Sequence, residues 1–172
     1  GSRMPNLTPP PDLHFRPFER RDFPRILQAI DSPEALMQWA GPLFTFPLDE
    51  AQLESYRLSA QQPPAARRIY TACLAGGEPV GHIELNEIDG HSARLCRVLI
   101  DPSRRGCGLG RAMVRQALHI AFDELRLERV DLEISAAAGQ LTVGALSDSA
   151  ELIAGRLDLA TSRQPVWEIT RS

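Results

Sequence analysis

Apolar positions recur along this chain with two periods. Between Leu13 and Phe18 they alternate, with Leu13, Phe15 and Pro17 on one side, which predicts a first edge strand. Phe23, Ile26, Leu27 and Ile30 then recur at helical spacing behind Asp22, a residue suited to capping, and Asp31-Ser32-Pro33 closes that helix. A shorter helical piece carries Leu36, Met37 and Trp39 and breaks at Gly41-Pro42. Asp49 and Gln52 stand as a capping-box pair with Leu48 and Leu53 at the staple positions, so a helix is predicted from Glu50 to about Ser59. After Gln61-Gln62-Pro63-Pro64 the period falls to two. Strands are predicted at Arg68–Leu74, Pro79–Ile88 and Ala93–Ile100, joined by turns at Gly76-Gly77 and Asp89-Gly90.

The third of these strands runs into the most informative stretch. Val98, Leu99 and Ile100 suit a buried strand end, and Asp101-Pro102 stops it because proline cannot donate to a ladder. Arg105-Gly106-Cys107-Gly108-Leu109-Gly110-Arg111 follows, and then a helix to about Glu124 with Met113, Ala117, Ala121 and Leu125 along one line. Alternating glycines leave backbone N–H groups unmasked, and the following helix directs its positive end to the same place. The turn therefore predicts an anion site, best suited to phosphate. Val130, Leu132 and Ile134 alternate as a further strand. Beyond Ser135 a helical line at Leu146, Ala150, Ile153 and Leu157 and a last strand at Val166–Thr170 are predicted.

Composition changes the picture little. The 172 residues suffice for one core, and a net charge of −3 argues against nonspecific nucleic-acid binding, although arginines bunch at 16–25, 67–68 and 104–115. Cys73, Cys96 and Cys107 follow no metal spacing, and a reducing cytoplasm fits them. No apolar run approaches a membrane span of ~18 residues, and no signal-peptide core is visible. Gly1-Ser2-Arg3 before Met4 reads as a cloning scar, and residues 1–12, with their prolines, as that scar plus an extended arm. Residues 13–172 then form a single domain.

The glycine turn is neither a P-loop, since Gly-x-x-x-x-Gly-Lys-Ser/Thr is absent, nor a dinucleotide fingerprint, whose third glycine is Arg111 here. It resembles motif A of the GNAT superfamily of acyl-CoA N-acyltransferases, Gln/Arg-x-x-Gly-x-Gly/Ala, matched by Arg105, Gly108 and Gly110. The order of elements is similar too. Arg16-Pro17 and Trp39…Pro42…Phe46-Pro47-Leu48 further resemble the branch holding ribosomal-protein alanine, spermidine and aminoglycoside N-acetyltransferases. The resemblance implies an α+β fold: a mixed, mostly antiparallel twisted sheet with helices on both faces in three layers. It also implies an acetyl-CoA cofactor whose pyrophosphate lies on the amides from Arg105 through Gly106, Cys107, Gly108, Leu109 and Gly110 to Arg111. Its pantetheine arm then pairs with the strand end Val98, Leu99 and Ile100, where the next strand splays away.

An alkyl ammonium of pKa ~10.4 is neutral only about once in 2,500 molecules at pH 7, so acetyl transfer to an amine needs a base or desolvation. His82, Glu84 and Asn86 share one face of their strand. The family places a carboxylate there, which makes Glu84 the first candidate for the base; His82, titrating near neutrality, is the second. Trp39, Phe44 and Phe46, with Tyr56, are candidates to line the acceptor cleft or to fill core. The family's tyrosine, which protonates the departing thiolate, falls at Ala145 here, leaving Ser147, Ser149 or water to substitute and predicting weak transfer beside good acetyl-CoA binding. The partner implied is a small-molecule amine or a peptide N-terminus, with no nucleic acid and no membrane, and a homodimer remains open. Two other readings stand: a non-catalytic acyl-CoA-binding or sensing domain, and a nucleotide-phosphate binder outside the family.

Overall fold

The computed structural model describes residues 12–104, 108–133, 141–143, 146–147, 151–152, 155–157 and 166–170. Strand β1 (Leu13–Pro17) leads to helices α1 (Phe23–Ala29), α2 (Pro33–Ala40) and α3 (Glu50–Ser59). Strands β2 (Arg68–Leu74), β3 (Pro79–Asn86) and β4 (Ser92–Ile100) follow, then α4 (Leu109–His119) and β5 (Arg129–Glu133). After the short pieces β6 (Leu141–Val143), β7 (Leu146–Ser147), β8 (Glu151–Leu152) and β9 (Gly155–Leu157) comes β10 (Val166–Thr170). Six strands form one sheet in the order β1-β2-β3-β4-β5-β10. All neighbours run antiparallel except β4 and β5, which are parallel because α4 carries the chain across between them.

Each face of the sheet buries its own core. Met113, Val114, Ala117, Leu118 and Phe122 from α4 and its extension pack on Val80, Ile83, Leu85, Leu95 and Val98. Phe18, Phe23, Ile26, Leu36, Trp39, Phe44, Leu53 and Tyr56 from the N-terminal half cover Ile69 and Leu99. Gly81 sets how closely α4 approaches: a Cβ there would lie 2.6 Å from the Met113 Sδ and 3.0 Å from the Leu99 carbonyl oxygen.

Local chemistry explains where the elements begin, with four departures from the sequence reading. Ser32 and Asp49 cap α2 and α3 by accepting from the backbone N–H groups of Ala35 and Gln52, at 3.0 and 2.9 Å. Gln52 does not complete a capping box; its amide accepts from the Thr45 N–H at 2.8 Å and donates to the Thr45 and Pro47 carbonyls, holding the loop before the helix. Asp22 does not cap α1 with its side chain. It is buried in a two-pronged pair with Arg16 at 2.7 and 2.8 Å, and accepts from Thr71 as well. The helix predicted to Glu124 is α-helical to His119 and ends in a π turn, Ile120–Glu124, closed by the Leu125 N–H on the Ile120 carbonyl. Of the helical line predicted at Leu146, Ala150, Ile153 and Leu157, Ala150 and Ile153 lie outside the described residues, while Leu146 and Leu157 stand in antiparallel strand pairs, β7 with β8 and β6 with β9. Gly155, which costs a helix ~1 kcal/mol, and Ser147, which favours caps and turns, suit those described stretches poorly to a helix.

Candidate active site

β4 and β5 pair only from Ser92↔Arg129 to Leu95↔Leu132. Beyond Leu95, β4 keeps β3 on one side, and among the described residues its other edge has no strand partner. The backbone of residues 96–100 on that edge is left for a ligand amide to pair with. The strand ends at Asp101, and Gly108, in the left-handed region at φ 79°, precedes the first turn of α4. The opening amides of α4 have no intrahelical acceptor, and nothing lies within 4 Å of where a Gly108 Cβ would stand. An open strand edge leading to a bare helix N-terminus fits an amide-bearing, phosphate-ended cofactor such as acetyl-CoA. Leu109 and Gly110 are buried at the start of α4, while Arg105, Gly106, Cys107 and the side chain of Arg111 lie outside the described residues.

The second feature is a bulge in β4. Glu84 pairs with Cys96 and His82 with Leu99, so two residues, Arg97 and Val98, stand against Ile83 alone. Arg97 takes a left-handed φ of 50°, and the Trp39 indole N–H donates to its carbonyl at 3.2 Å. The bulge brings the Arg97 guanidinium to Glu84, whose side chain has no exposed surface. One Glu84 oxygen accepts from Arg97 Nη1 at 3.0 Å and is ion-paired at 3.0 Å with Arg67 Nε, whose N–H donates to Asn86, and the other accepts from the Tyr56 hydroxyl at 2.5 Å. Burial pushes the Glu84 carboxyl up, against the pull of Arg97, Tyr56 and Arg67. Burial, and then Glu84, push the Tyr56 phenol far above its ordinary range, so it stays a neutral donor.

The Tyr56 hydroxyl, donating to Glu84, lies 2.9 Å from His82 Nε2 and so accepts from it, which assigns the ring proton to Nε2. His82 Nδ1 is then a bare acceptor, buried and without a partner. Phe18 and Trp39 meet the imidazole edge-on at 4.9 and 5.4 Å. Burial pulls its pKa down to about 3, so His82 is neutral at any physiological pH.

Two cavities flank this cluster. One of about 310 Å³ lies at the bulge, lined by Ala40, Gly41, Pro42 and Leu43 on one side and Asn86, Glu87, Arg94, Cys96 and Arg97 on the other. A second of about 450 Å³ runs along α3, with Phe44, Tyr56 and Arg67 among its walls.

The candidates thus separate. Glu84 and His82 join one network through Tyr56, but neither presents an exposed atom to an acceptor. Val98, Leu99 and Ile100 lie on the open stretch of β4 as expected. Trp39 is core, stacked on Phe44 at 5.9 Å, and fixes the bulge; Phe44 borders the α3 cavity; Phe46 is an exposed loop residue lining neither cavity. Position 145, where the family's tyrosine belongs, lies outside the described residues, as does Ser149. Arg67, Arg94 and Arg97 were not singled out from the sequence. The signal for Arg97 was present: Arg97 breaks the alternation, and Val98-Leu99-Ile100 is apolar on both faces.

A sheet whose central parallel pair parts beside a glycine-capped helix defines an acyl-CoA-dependent acyltransferase class of fold. The chain belongs to the acetyltransferase (GNAT) family, whose model matches residues 33–141. A mycothiol acetyltransferase of Nocardia farcinica is 31% identical over 117 residues, which is 67% of this chain. The chain spans about a third of that relative, 32% of its length. Among solved structures, spermidine N-acetyltransferase from Vibrio cholerae in complex with CoA and spermine superposes with a TM-score of 0.60 at 20% identity, over 86% of this chain and 96% of that one. The dodecameric structure of spermidine N-acetyltransferase from Vibrio cholerae in an intermediate state gives 0.56 at 23%, over 78% and 82%. At these identities the structures establish the fold.

Proposed function

We propose that this chain is an acetyl-CoA-dependent N-acetyltransferase acting on a primary amine. One observation carries the reading: β4 leaves β5 at Leu95, opening an edge that ends at the Gly108 turn, and the cavity at the bulge opens on that same strand. Acetyl-CoA supplies an acetyl thioester, whose carbon–sulfur bond breaks as the carbon–nitrogen bond forms, the proton lost by the amine balancing the released thiolate. The β4 edge, residues 96–100, orients the pantetheine amides, and the first amides of α4 hold the pyrophosphate.

Proton handling is indirect in this reading. Glu84 has no exposed surface and both oxygens bonded, which supports a positioning part: it fixes Arg97 and Arg67, and a proton reaches it only by way of the Tyr56 hydroxyl. His82 keeps that hydroxyl oriented and takes no proton near neutral pH. Selection of the neutral amine then falls to desolvation at the bulge cavity and to water.

Cys73 and Cys96 are buried, in keeping with a cytoplasmic protein, and no described helix is long and apolar enough to cross a membrane. Thiol release measured with acetyl-CoA and a panel of polyamines, aminoglycosides and N-terminal peptides tests the assignment. Amine-dependent release is expected, slowed by up to ~10²–10⁴ if no group replaces the missing tyrosine. Saturable acetyl-CoA binding with no release for any amine would establish the non-catalytic reading instead.

A further inference from the structure

Charge balance around the bulge points to the kind of amine accepted. Two guanidiniums, Arg67 and Arg97, share the single Glu84 carboxylate at 3.0 Å each. The other side chains of this cluster, Tyr56 and His82, are neutral. Among the described residues no second carboxylate forms an ion pair with either arginine. Glu87 does not offset the excess, because it is engaged with Arg94 at 3.2 Å. The cluster therefore holds one positive charge in excess, and Arg97 presents it to the cavity of about 310 Å³. Arg97 Nε is buried there with no hydrogen-bond partner. Arg97 also sits at the bulge with φ 50°, a backbone conformation that persists only where the surroundings impose it.

Such a wall suits a polycation poorly. Excess positive charge repels a second ammonium, whereas a fork of N–H donors matches a carboxylate, and one surplus charge matches a monoanion better than a phosphate dianion. We propose that the acceptor is an amine bearing a carboxylate, of the amino-acid type, and that Arg97 binds that carboxylate in the bulge cavity. The proposal rests on the acetyltransferase reading and narrows its substrate to one chemical class. Glu87 and Arg94, paired at the cavity wall, offer partners of both signs to such a zwitterion.

The test pairs α-, β- and γ-amino acids with their own carboxamides, with spermidine as a third arm, and follows thiol release at saturating acetyl-CoA, compared per neutral amine. One acid should exceed its amide by about 10–100-fold in kcat/KM, the worth of a hydrogen bond to a charged group. Arg97→Gln should bring that ratio to about one, chiefly through the KM of the acid, and Arg97→Lys should recover part of it. If Arg97→Gln does not fold, the acid-to-amide ratio of the unaltered protein still decides. Amides or spermidine turned over as well as every acid would overturn the substrate class and leave the acetyltransferase reading standing. Bound acetyl-CoA with no thiol release from any amine would overturn both.

Discussion

His82 makes the stability of this protein depend on pH in a way that can be worked out in advance. Its side chain is 1% exposed, enclosed by Phe18, Trp39 and Tyr56, and burial, helped by Arg25 and Arg97 and opposed by Asp22, lowers its pKa from 6.5 to about 3. Between those two values the unfolded chain binds a proton that the folded protein refuses. The unfolded state thus carries more protons, so stability falls as pH falls through this window and is fully present above the unfolded pKa. Between about pH 7 and about pH 5 the loss is about 2 kcal/mol, obtained from ~1.4 kcal/mol per pH unit below the unfolded pKa. For a chain of this size that lowers Tm by roughly 4–8 °C.

The measurement is urea unfolding at several pH values in that range, for the native sequence and for His82→Gln, which keeps a donor near Tyr56 but does not titrate. Glu84 acts in the opposite sense, because burial raises its carboxyl from 4.5 and the folded state then holds its proton more tightly. The difference between the two proteins, rather than either slope alone, therefore carries the test. His82→Gln should lose the acid-side decline by about 2 kcal/mol relative to the native sequence, whatever its stability at pH 7. Parallel pH profiles for the two proteins would refute the reasoning, since they would mean that His82 titrates alike folded and unfolded.

Three further outcomes are expected. Glu84→Gln should destabilise by about 2–4 kcal/mol in thermal or urea melts, the low side of a broken buried pair because Arg67 and Arg97 keep 19% and 14% of their side chains exposed. Its loss of turnover should be the same at every pH; recovery at alkaline pH would restore Glu84 as the proton acceptor. Gly108→Asp should weaken CoA binding at least ~10-fold in calorimetry with an unchanged circular dichroism spectrum, because it sets a carboxylate at the proposed phosphate site; unaltered affinity would place the anion elsewhere. Gly81→Ala should cost about 1–3 kcal/mol, since the added methyl meets the buried Met113 side chain at 2.6 and 2.8 Å, and a neutral melt would show that α4 shifts freely.

What was legible in the sequence is what short-range chemistry decides. Helix Glu50–Ser59 begins where Asp49 caps it, and strands Arg68–Leu74 and Val166–Thr170 have the bounds that their alternation predicted. The turn at Gly108 was legible for a related reason: it takes a left-handed φ of 79° before α4, and glycine spacing records backbone conformation directly. Asp22 and Gln52 misled because each has a local role within reach and a tertiary one that wins. For Asp22 the winning partners are Arg16, six residues away, and Thr71, forty-nine away.

The polar cluster at the bulge was half legible. Glu84 and His82 could be placed on a common face, but Tyr56, Arg67 and Arg97 reach them from α3, from the loop before β2, and from β4, and no local pattern links those places. What the sequence did carry was a fault in the period. Ala93 and Leu95 set a phase that an unbulged strand would carry on to Arg97 and Leu99, whereas Val98 and Ile100 share the core of Ala93 and Leu95 and Leu99 lies in the other one. The apolar run from Val98 to Ile100 needs both faces buried there, and α4 on one side with the aromatic layer on the other supply them. An arginine admitted into such a run must find an anion. Glu84 meets that need once, yet it is shared with Arg67, so a second anion is called for where the cavity opens. The interrupted alternation and the surplus charge thus have one origin, the extra residue in β4.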